Sequence, residues 1–196
     1  MKLQEKLPDS VVVDGKKYRL DLDFRNVLKM IEVLDREDML PEAKAYKALK
    51  FVCKHPKNAL NVIAAVKCLL FKAPRKTGGQ KVTDFEQDAG LIRAAFRQAY
   101  GIDLYRDRLH WIEFQELLNA IPEGSRYSEV VGIRARPIPA ATKWNAHERE
   151  WLMKAKADVA LEMDEKERMA KYQQDVANIA SVLMGMAKKK EVNENG

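Results

Sequence analysis

The chain has 196 residues, of which 46% are hydrophobic and 33% are charged, with only 9 Gly and 7 Pro. This composition suits one well-solvated core domain with an appendage and argues against a loop-rich all-β protein. We therefore expect a mainly α fold: a helical bundle with an N-terminal β-hairpin and a long C-terminal helix, continuous or broken.

The charge pattern is basic but mixed. The formal net charge is +6, from 35 basic and 29 acidic residues that are interspersed along the chain. A basic protein can bind nucleic acid, but no stripe of one sign dominates, so we do not expect nucleic acid as the partner. The first ten residues lack the apolar core of a signal peptide, and no apolar run reaches the roughly 20 residues of a membrane helix. We expect a cytoplasmic protein with two reduced thiols, Cys53 and Cys68.

The first elements carry clear local signals. Residues 10–20, SVVVDGKKYRL, predict a β-hairpin that turns at Asp14-Gly15. Asp23 predicts an N-cap of a first helix, and Pro41 and Pro56 predict the starts of a second and a third. The apolar faces predicted for these helices are Phe24, Val27, Leu28, Ile31 and Leu34; Ala45, Tyr46, Leu49 and Val52; and Leu60, Ile63, Ala64, Leu69 and Leu70.

Residues 72–82, KAPRKTGGQKV, are the first clear interruption of the predicted helices. The Gly pair and the proline are typical of a loop, and the spacing of a phosphate-binding P-loop is absent. The functional hypothesis for this segment is a basic contact loop; the alternative is a solvated linker. Its candidate residues are Lys72, Arg75, Lys76 and Lys81.

The stretch from Asp84 to Phe114 brings acids near a histidine. Thr83 and Glu86 fit a capping box, and Asp84 and Asp88 suit the first turns of a helix, so we interpret these acids as structural. The apolar face predicted for this helix is Phe85, Ala89, Ile92, Ala95, Phe96 and Ala99, with Gly101 as its C-terminal cap.

A fifth helix is predicted from the spacing of Trp111, Phe114, Leu118 and Ile121, with Pro122 ending it. A contact between His110 and Glu113 would be common on a helix and marks no active site. Cys53, His55 and Cys68 do not have the spacing of a zinc site. We predict no catalytic residue, no metal site and no cofactor.

Residues 123–144 contain a predicted short helical turn at 128–133 and then Pro137 and Pro139, which mark a domain edge. We predict a helical core domain with its hairpin at 1–140 and a helical extension at 141–196. Asn145 and Glu148 fit a second capping box, which would open a helix reaching about Lys188.

The extension carries two predicted apolar stripes. The first is Trp151, Ala155, Val159 and Met163, and the helix can break after it at 164–168. The second stripe is too long to bury on a small core, so we predict that it binds a partner; packing back on its own chain is the alternative. This predicted partner-binding stripe is Met169, Tyr172, Val176, Ile179, Leu183 and Met186.

Several of these pieces together resemble a family of tailed-bacteriophage proteins, the gene-product-fifteen family. The resemblance covers about residues 6 to 136 and keeps the order and spacing of the motifs, which makes the combination specific. Where family members usually carry two tryptophans after the histidine, this chain has Trp111-Ile112. The motifs are Leu7-Pro8, Gly15, Asp23-Phe24-Arg25, Asp84-Phe85-Glu86 with Asp88-Ala89, AAFRQAYGIDL, Leu109-His110-Trp111 with Phe114, and SRYSEVVGIRAR.

The resemblance implies a non-enzymatic tail assembly chaperone of long-tailed phages, acting in the host bacterial cytoplasm. Its client would be the tape measure protein, with the tail tube protein as a second candidate partner. Repeated copies would be needed to cover a long client, so we expect a homo-oligomer. The family carries no catalytic residues to transfer to this chain.

Three other functions remain open. The runner-up is a structural tail or connector component of the virion, followed by a nucleic-acid-binding adaptor and last by an enzyme. A further hypothesis is a longer product made by −1 frameshifting, for which the codons of Lys188–Lys190 could supply a slippery site. Lysines that complement a helix dipole explain the same residues, and the gene sequence distinguishes the two.

Overall fold

A computed structural model describes residues 4–71 and 81–162, together with residues 169, 172, 173, 176 and 177. Within these residues the chain is mainly helical and begins with a two-stranded antiparallel hairpin, as predicted. The strands and helices are β1 (Ser10–Val13), β2 (Lys16–Arg19), α1 (Phe24–Asp35), α2 (Pro41–Leu49), α3 (Ala59–Leu70), α4 (Ala89–Tyr100), α5 (Trp111–Asn119), α6 (Arg126–Ala135) and α7 (Ala146–Asp158).

The hairpin turns where the sequence indicates. Asp14 and Gly15 both have positive φ, at 50° and 72°, which is the backbone that a two-residue turn with the strands' own twist requires. The strands pair from Ser10 opposite Arg19 to Val13 opposite Lys16. One face of the hairpin is buried against α3, which supplies the packing that an isolated hairpin lacks.

Residue contacts divide the chain into one unit that ends at Pro137 and another that begins at Ile138. The predicted boundary between 1–140 and 141–196 stays a prediction. In the first unit, α2 packs on α1 and α3, while α5 packs on α1 and α4, and α6 packs on α4. The largest fully buried side chains in this unit are Trp111, Phe96, Phe114, Met30, Leu49, Val27, Val52, Val62 and Val66.

Two of the predicted helix starts are shifted, and a third helix starts where predicted but lacks the predicted capping box. The helix predicted from Pro56 begins at Ala59, because Asn58 takes the left-handed conformation with φ 52°. The short turn predicted at 128–133 is a longer helix that Ser125 caps. The capping box predicted at Asn145 is absent, because the Asn145 side chain accepts from the Thr142 N–H at 2.9 Å and donates to the Ala140 carbonyl at 2.8 Å.

Several residues predicted on buried faces are exposed. Tyr46 is 46% exposed and Leu60 is 43% exposed; Ala64 is exposed as well. In α2 the small residues Ala45 and Ala48 pack inward, and Tyr46 instead lies beneath the Lys50 ammonium at 4.8 Å. Helix α3 is apolar around most of its circumference, so its periodicity does not define the buried face.

The predicted long C-terminal helix ends earlier than expected. Helix α7 stops at Asp158, and residues 159–162 are not helical, so the break precedes the predicted one at 164–168. The first predicted stripe is also wrong at Trp151, which is 52% exposed, whereas Leu152 is buried. The rest of the predicted helix to Lys188 lies outside the described residues, apart from Met169, Tyr172, Gln173, Val176 and Ala177, which are helical.

Candidate functional site

Two of the motif stretches meet through their backbones at the starts of α1 and α5. The Phe24 N–H donates to the Leu109 carbonyl at 3.0 Å, and the Trp111 N–H donates to the Leu22 carbonyl at 2.8 Å. Asp23 and His110 consequently form an isolated antiparallel bridge. These motif residues therefore join two helix starts that are far apart in the sequence.

Asp23 is the charged centre of this junction. It is 7% exposed, and its carboxylate caps α1 by accepting the Arg25 N–H at 3.0 Å. Arg108 pairs with Asp23 at 3.2 Å and with Asp21 at 2.8 Å, and these two acids, Asp21 first, raise the pKa of the Arg108 guanidinium. The Arg25 guanidinium donates to the Asp107 carbonyl. Each of these charged side chains therefore has a partner within the junction.

His110 acts as the N-cap of α5. Its Nδ1 accepts the Ile112 N–H at 3.1 Å, so the ring proton lies on Nε2, which is 3.0 Å from the Pro8 carbonyl oxygen. Both ring nitrogens are therefore engaged with the backbone. The contact with Glu113 that the sequence allowed is not formed. Leu7-Pro8 and the His-Trp motif are joined through this side chain.

The capping box predicted for α4 is wrong. The Thr83 hydroxyl lies 3.3 Å from the Tyr127 hydroxyl, and the Asp84 carboxylate instead accepts the N–H groups of Glu86 and Gln87, each at 2.9 Å. The chain makes one separate turn at residues 85–88, so α4 begins only at Ala89. Asp84 therefore caps the turn and not the helix.

Asp88 forms a buried ion pair that was not predicted from the sequence. Its carboxylate is 2.7 Å from an Arg134 nitrogen, and the two side chains are 2% and 10% exposed. Asp88 also accepts the Asp84 N–H at 2.9 Å, and Arg134 donates to the Val82 carbonyl at 3.1 Å. The pair fastens α6 to the start of α4, and both partners lie in motifs that carry the family resemblance.

The motif aromatics form the centre of the first unit's core. Phe114 stacks on Phe24 at 4.7 Å between ring centroids and on Phe96 at 5.2 Å. The Trp111 and Phe114 ring centroids are 5.8 Å apart. Phe85, which is partly exposed, contacts both of these rings. Phe96, Trp111 and Phe114 are therefore buried in the core, as predicted for the Asp84–Phe114 stretch.

Asp84 gives the fold a specific dependence on pH. Lys81, 2.8 Å away, and the N–H groups of Gln87 and Glu86 lower the pKa of Asp84 below its ordinary value of 3.8. A carboxyl whose pKa is lowered on folding stabilises the fold above its unfolded pKa, and this stability is lost as pH falls through the folded pKa. We predict that Asp84→Asn is less stable than the wild type at pH 7 and that the difference shrinks as pH falls through the lowered pKa of Asp84.

Urea unfolding at pH 7, 5 and 3 measures this difference. Asparagine keeps an oxygen that can accept the two N–H groups, so the substitution removes mainly the charge. The control is Glu86→Gln, an exposed neighbour, which should show no such trend. A stability difference that grew on acidification would contradict the predicted role of Asp84.

The unit that begins at Ile138 exposes seven large apolar side chains among its described residues. Among its described residues, Leu152 is the one large apolar side chain that is buried. Part of the predicted partner-binding stripe is among the exposed residues; Ile179, Leu183 and Met186 lie outside the described residues. The exposed side chains are Ile138 44%, Trp144 89%, Trp151 52%, Met153 47%, Met169 54%, Tyr172 65% and Val176 47%.

The predicted basic contact loop is described only at its end. Lys72, Arg75 and Lys76 lie outside the described residues, and Lys81 pairs with Asp84 at 2.8 Å. Among the residues that the structure describes, no cluster of His, Cys, Asp or Glu could hold a metal ion. In the same residues, no helix combines the length and apolarity that crossing a membrane requires.

Comparison with known proteins agrees with the motif pattern. The family model described as Bacteriophage Gp15 protein matches residues 3–161, which extends the resemblance through α7. Searches of curated proteins and of solved structures found no match. Because the family match covers most of the 196 residues, the chain belongs to the bacteriophage Gp15 protein family.

Proposed function

We propose that this bacteriophage protein is a tail assembly chaperone that binds the tape measure protein and keeps it soluble while the tail tube assembles. The observation that carries the proposal is the exposure of large apolar side chains in the unit that begins at Ile138. Exposed apolar surface of this kind is typical of protein-interaction sites. Membership of the phage family and the implied role of that family agree with it.

The chemistry of these exposed side chains suits a chaperone that must hold a partly folded client. Met153 and Met169 have flexible, polarizable side chains that adapt to irregular partners, and Trp144, Trp151 and Tyr172 supply large apolar area with a polar edge. The charged remainder of the chain, at 33% of residues, would keep such a surface in solution. The proposal needs no catalytic residue and no cofactor, and it places the protein in the host cytoplasm.

A pull-down after co-expression with the phage's own tape measure protein tests the proposal. We predict that the wild type captures the tape measure protein. Met169→Ser/Tyr172→Ser/Val176→Ser should capture at least tenfold less of it. Val12→Ser/Leu40→Ser/Tyr105→Ser is the matched control, because these residues are 68%, 75% and 71% exposed in the first unit. It should capture as much as the wild type, and equal losses in both variants would contradict a specific surface.

Mass spectrometry of purified virions separates the chaperone from the runner-up, a structural tail or connector component. A chaperone is released when the tail is complete, so we expect the protein to be missing from mature particles. Stoichiometric copies in the particle would contradict the proposal and establish the structural alternative.

A further inference from the structure

A groove of about 650 Å³ lies between strand β2 and the segment that links α2 to α3. Its walls are residues 16–21 and residues 50–55, all within the first unit. The lining is rich in positive charge on both sides, and apolar side chains lie between the charges. The cationic residues of the lining are Lys16, Lys17, Arg19, Lys50 and Lys54.

The positive charge of this groove is not neutralised. None of these five cations forms an ion pair with another residue that the structure describes. Lys16 and Lys50 lie over the rings of Tyr18 and Tyr46, at 5.4 Å and 4.8 Å, which are contacts that leave the net charge in place. The one carboxylate in the lining, Asp21, is already paired with Arg108 at 2.8 Å.

The groove also exposes backbone groups that can pair with another strand. The Leu20 N–H donates to the Asp9 carbonyl, so these opposite residues form a hydrogen-bonded pair, and such pairs alternate along an antiparallel ladder. Lys17 and Arg19 are therefore the residues of β2 whose N–H and C=O groups point away from β1. On that outer edge the Asp21 N–H donates to the Val52 carbonyl at 2.8 Å. The outward backbone groups of Lys17 and Arg19 make no hydrogen bond to a described residue.

The edge is selective in what it can accept. Lysine on an edge strand discourages pairing with another copy of the same edge, because like charges would face each other. The same charges favour a strand that places acids beside Lys17 and Arg19 on the exposed face. Residues of that strand on its other face would meet the apolar lining near Tyr18 and Phe51. An extended segment with alternating acidic and apolar residues satisfies both conditions.

We propose that this groove binds an extended acidic peptide segment of a partner protein by adding it as a third strand along β2. Pairing with the free backbone groups of an edge strand supplies affinity, and the side chains of alternate residues supply specificity. This inference concerns a surface in the first unit and does not rest on the proposed chaperone function. Its test needs neither the tape measure protein nor the apolar surface of the second unit.

Fluorescence anisotropy with the full chain and a labelled, end-capped (Glu-Val)4 peptide tests the proposal. We expect saturable binding of this peptide and at least tenfold weaker binding of (Lys-Val)4. Lys17→Glu/Arg19→Glu should weaken binding of (Glu-Val)4 at least tenfold. Lys29→Glu/Lys67→Glu changes the net charge equally at exposed sites outside the groove and should leave binding within twofold of the wild type.

Methylated peptides distinguish strand addition from simple charge attraction. N-methyl groups on all the glutamate amides, or on all the valine amides, remove the donors on one edge of the peptide. We expect one of the two peptides to lose at least tenfold in affinity. Lys17→Pro should bind (Glu-Val)4 more weakly than Lys17→Ala, which removes the same charge, because only proline removes an N–H that points away from β1, and proline is tolerated at such edge positions.

Two results would overturn the proposal. Equal affinity for both methylated peptides and the unmodified one would show that the groove binds through charge alone, without backbone hydrogen bonds. Failure to bind (Glu-Val)4, with salt-dependent binding of a 20-nucleotide single-stranded DNA that Lys17→Glu/Arg19→Glu abolishes, would assign the groove to nucleic acid.

Discussion

Arg134→Met is expected to lower the free energy of unfolding of the first unit by about 3–5 kcal/mol, because it leaves the buried Asp88 carboxylate without its counter-charge. The two side chains are 2.7 Å apart and almost completely buried, so water cannot replace the lost guanidinium. Urea unfolding followed by Trp111 fluorescence measures the change. The background for this measurement is Trp144→Phe/Trp151→Phe, since those two exposed tryptophans would otherwise add to the signal.

Two companions make this experiment specific. Arg126→Met removes an exposed pair on the same helix, Arg126 with Glu129 at 3.4 Å, and should change stability by less than about 0.5 kcal/mol. Asp88→Asn/Arg134→Met should recover a substantial part of the loss, because asparagine is neutral and still accepts the Asp84 N–H. A loss for Arg134→Met no larger than that for Arg126→Met would contradict the buried pair.

Phe114→Ala is expected to cost about 3–5 kcal/mol, the range for deleting a fully buried aromatic ring. Phe114 is 1% exposed and touches the rings of Phe24, Phe96 and Trp111, so the cavity that it leaves has rigid walls that collapse poorly. The same urea experiment applies, with the Trp111 emission maximum of the folded state as a second reading.

The matched variant is Phe85→Ala in the same cluster. Phe85 is 37% exposed, so its removal should cost only about 1–2 kcal/mol, in proportion to the apolar area that it buries. If Phe114→Ala were as stable as Phe85→Ala, the aromatic cluster around Phe114 would not be the core of this unit.

The parts of the fold that could be predicted are those set by a few neighbouring residues. The Asp14-Gly15 turn, the cap at Asp23, the helix start at Pro41 and the left-handed end at Gly101 are all confirmed. In each case the residue restricts its own backbone or bonds within a few positions, so the sequence window contains the whole cause. The mainly helical class follows from the same local signals.

The errors in helix capping arise where a polar side chain bonds to a distant or an earlier partner. Thr83 bonds to Tyr127 and Asn145 bonds back to Ala140, so neither caps the helix that follows it. The Asp88–Arg134 pair was missed because its partners are joined only by the fold. One signal was present: Asp88 lies four positions before Ile92, in register with the buried stripe of α4, where an acid needs a partner.

The partner-binding residues are harder to predict from the sequence than the fold. The motifs at Asp23, His110 and Asp88 identify the family but hold the core together, so the residues that carry the resemblance are not the ones proposed to bind a partner. Met169, Tyr172 and Val176 are exposed, and the partner-binding stripe to which they belong stays a prediction. Partner identity depends on a second molecule, which one sequence does not contain.

The measurement that tests the proposed function most directly is the soluble fraction of the phage's tape measure protein, expressed alone and with this protein. We predict that co-expression with the wild type moves most of the tape measure protein from the pellet to the supernatant. Met169→Ser/Tyr172→Ser/Val176→Ser should leave it in the pellet, while the control triple in the first unit should rescue it as the wild type does. An unchanged soluble fraction with well-expressed wild type, and no complex between the two proteins, would contradict the chaperone function.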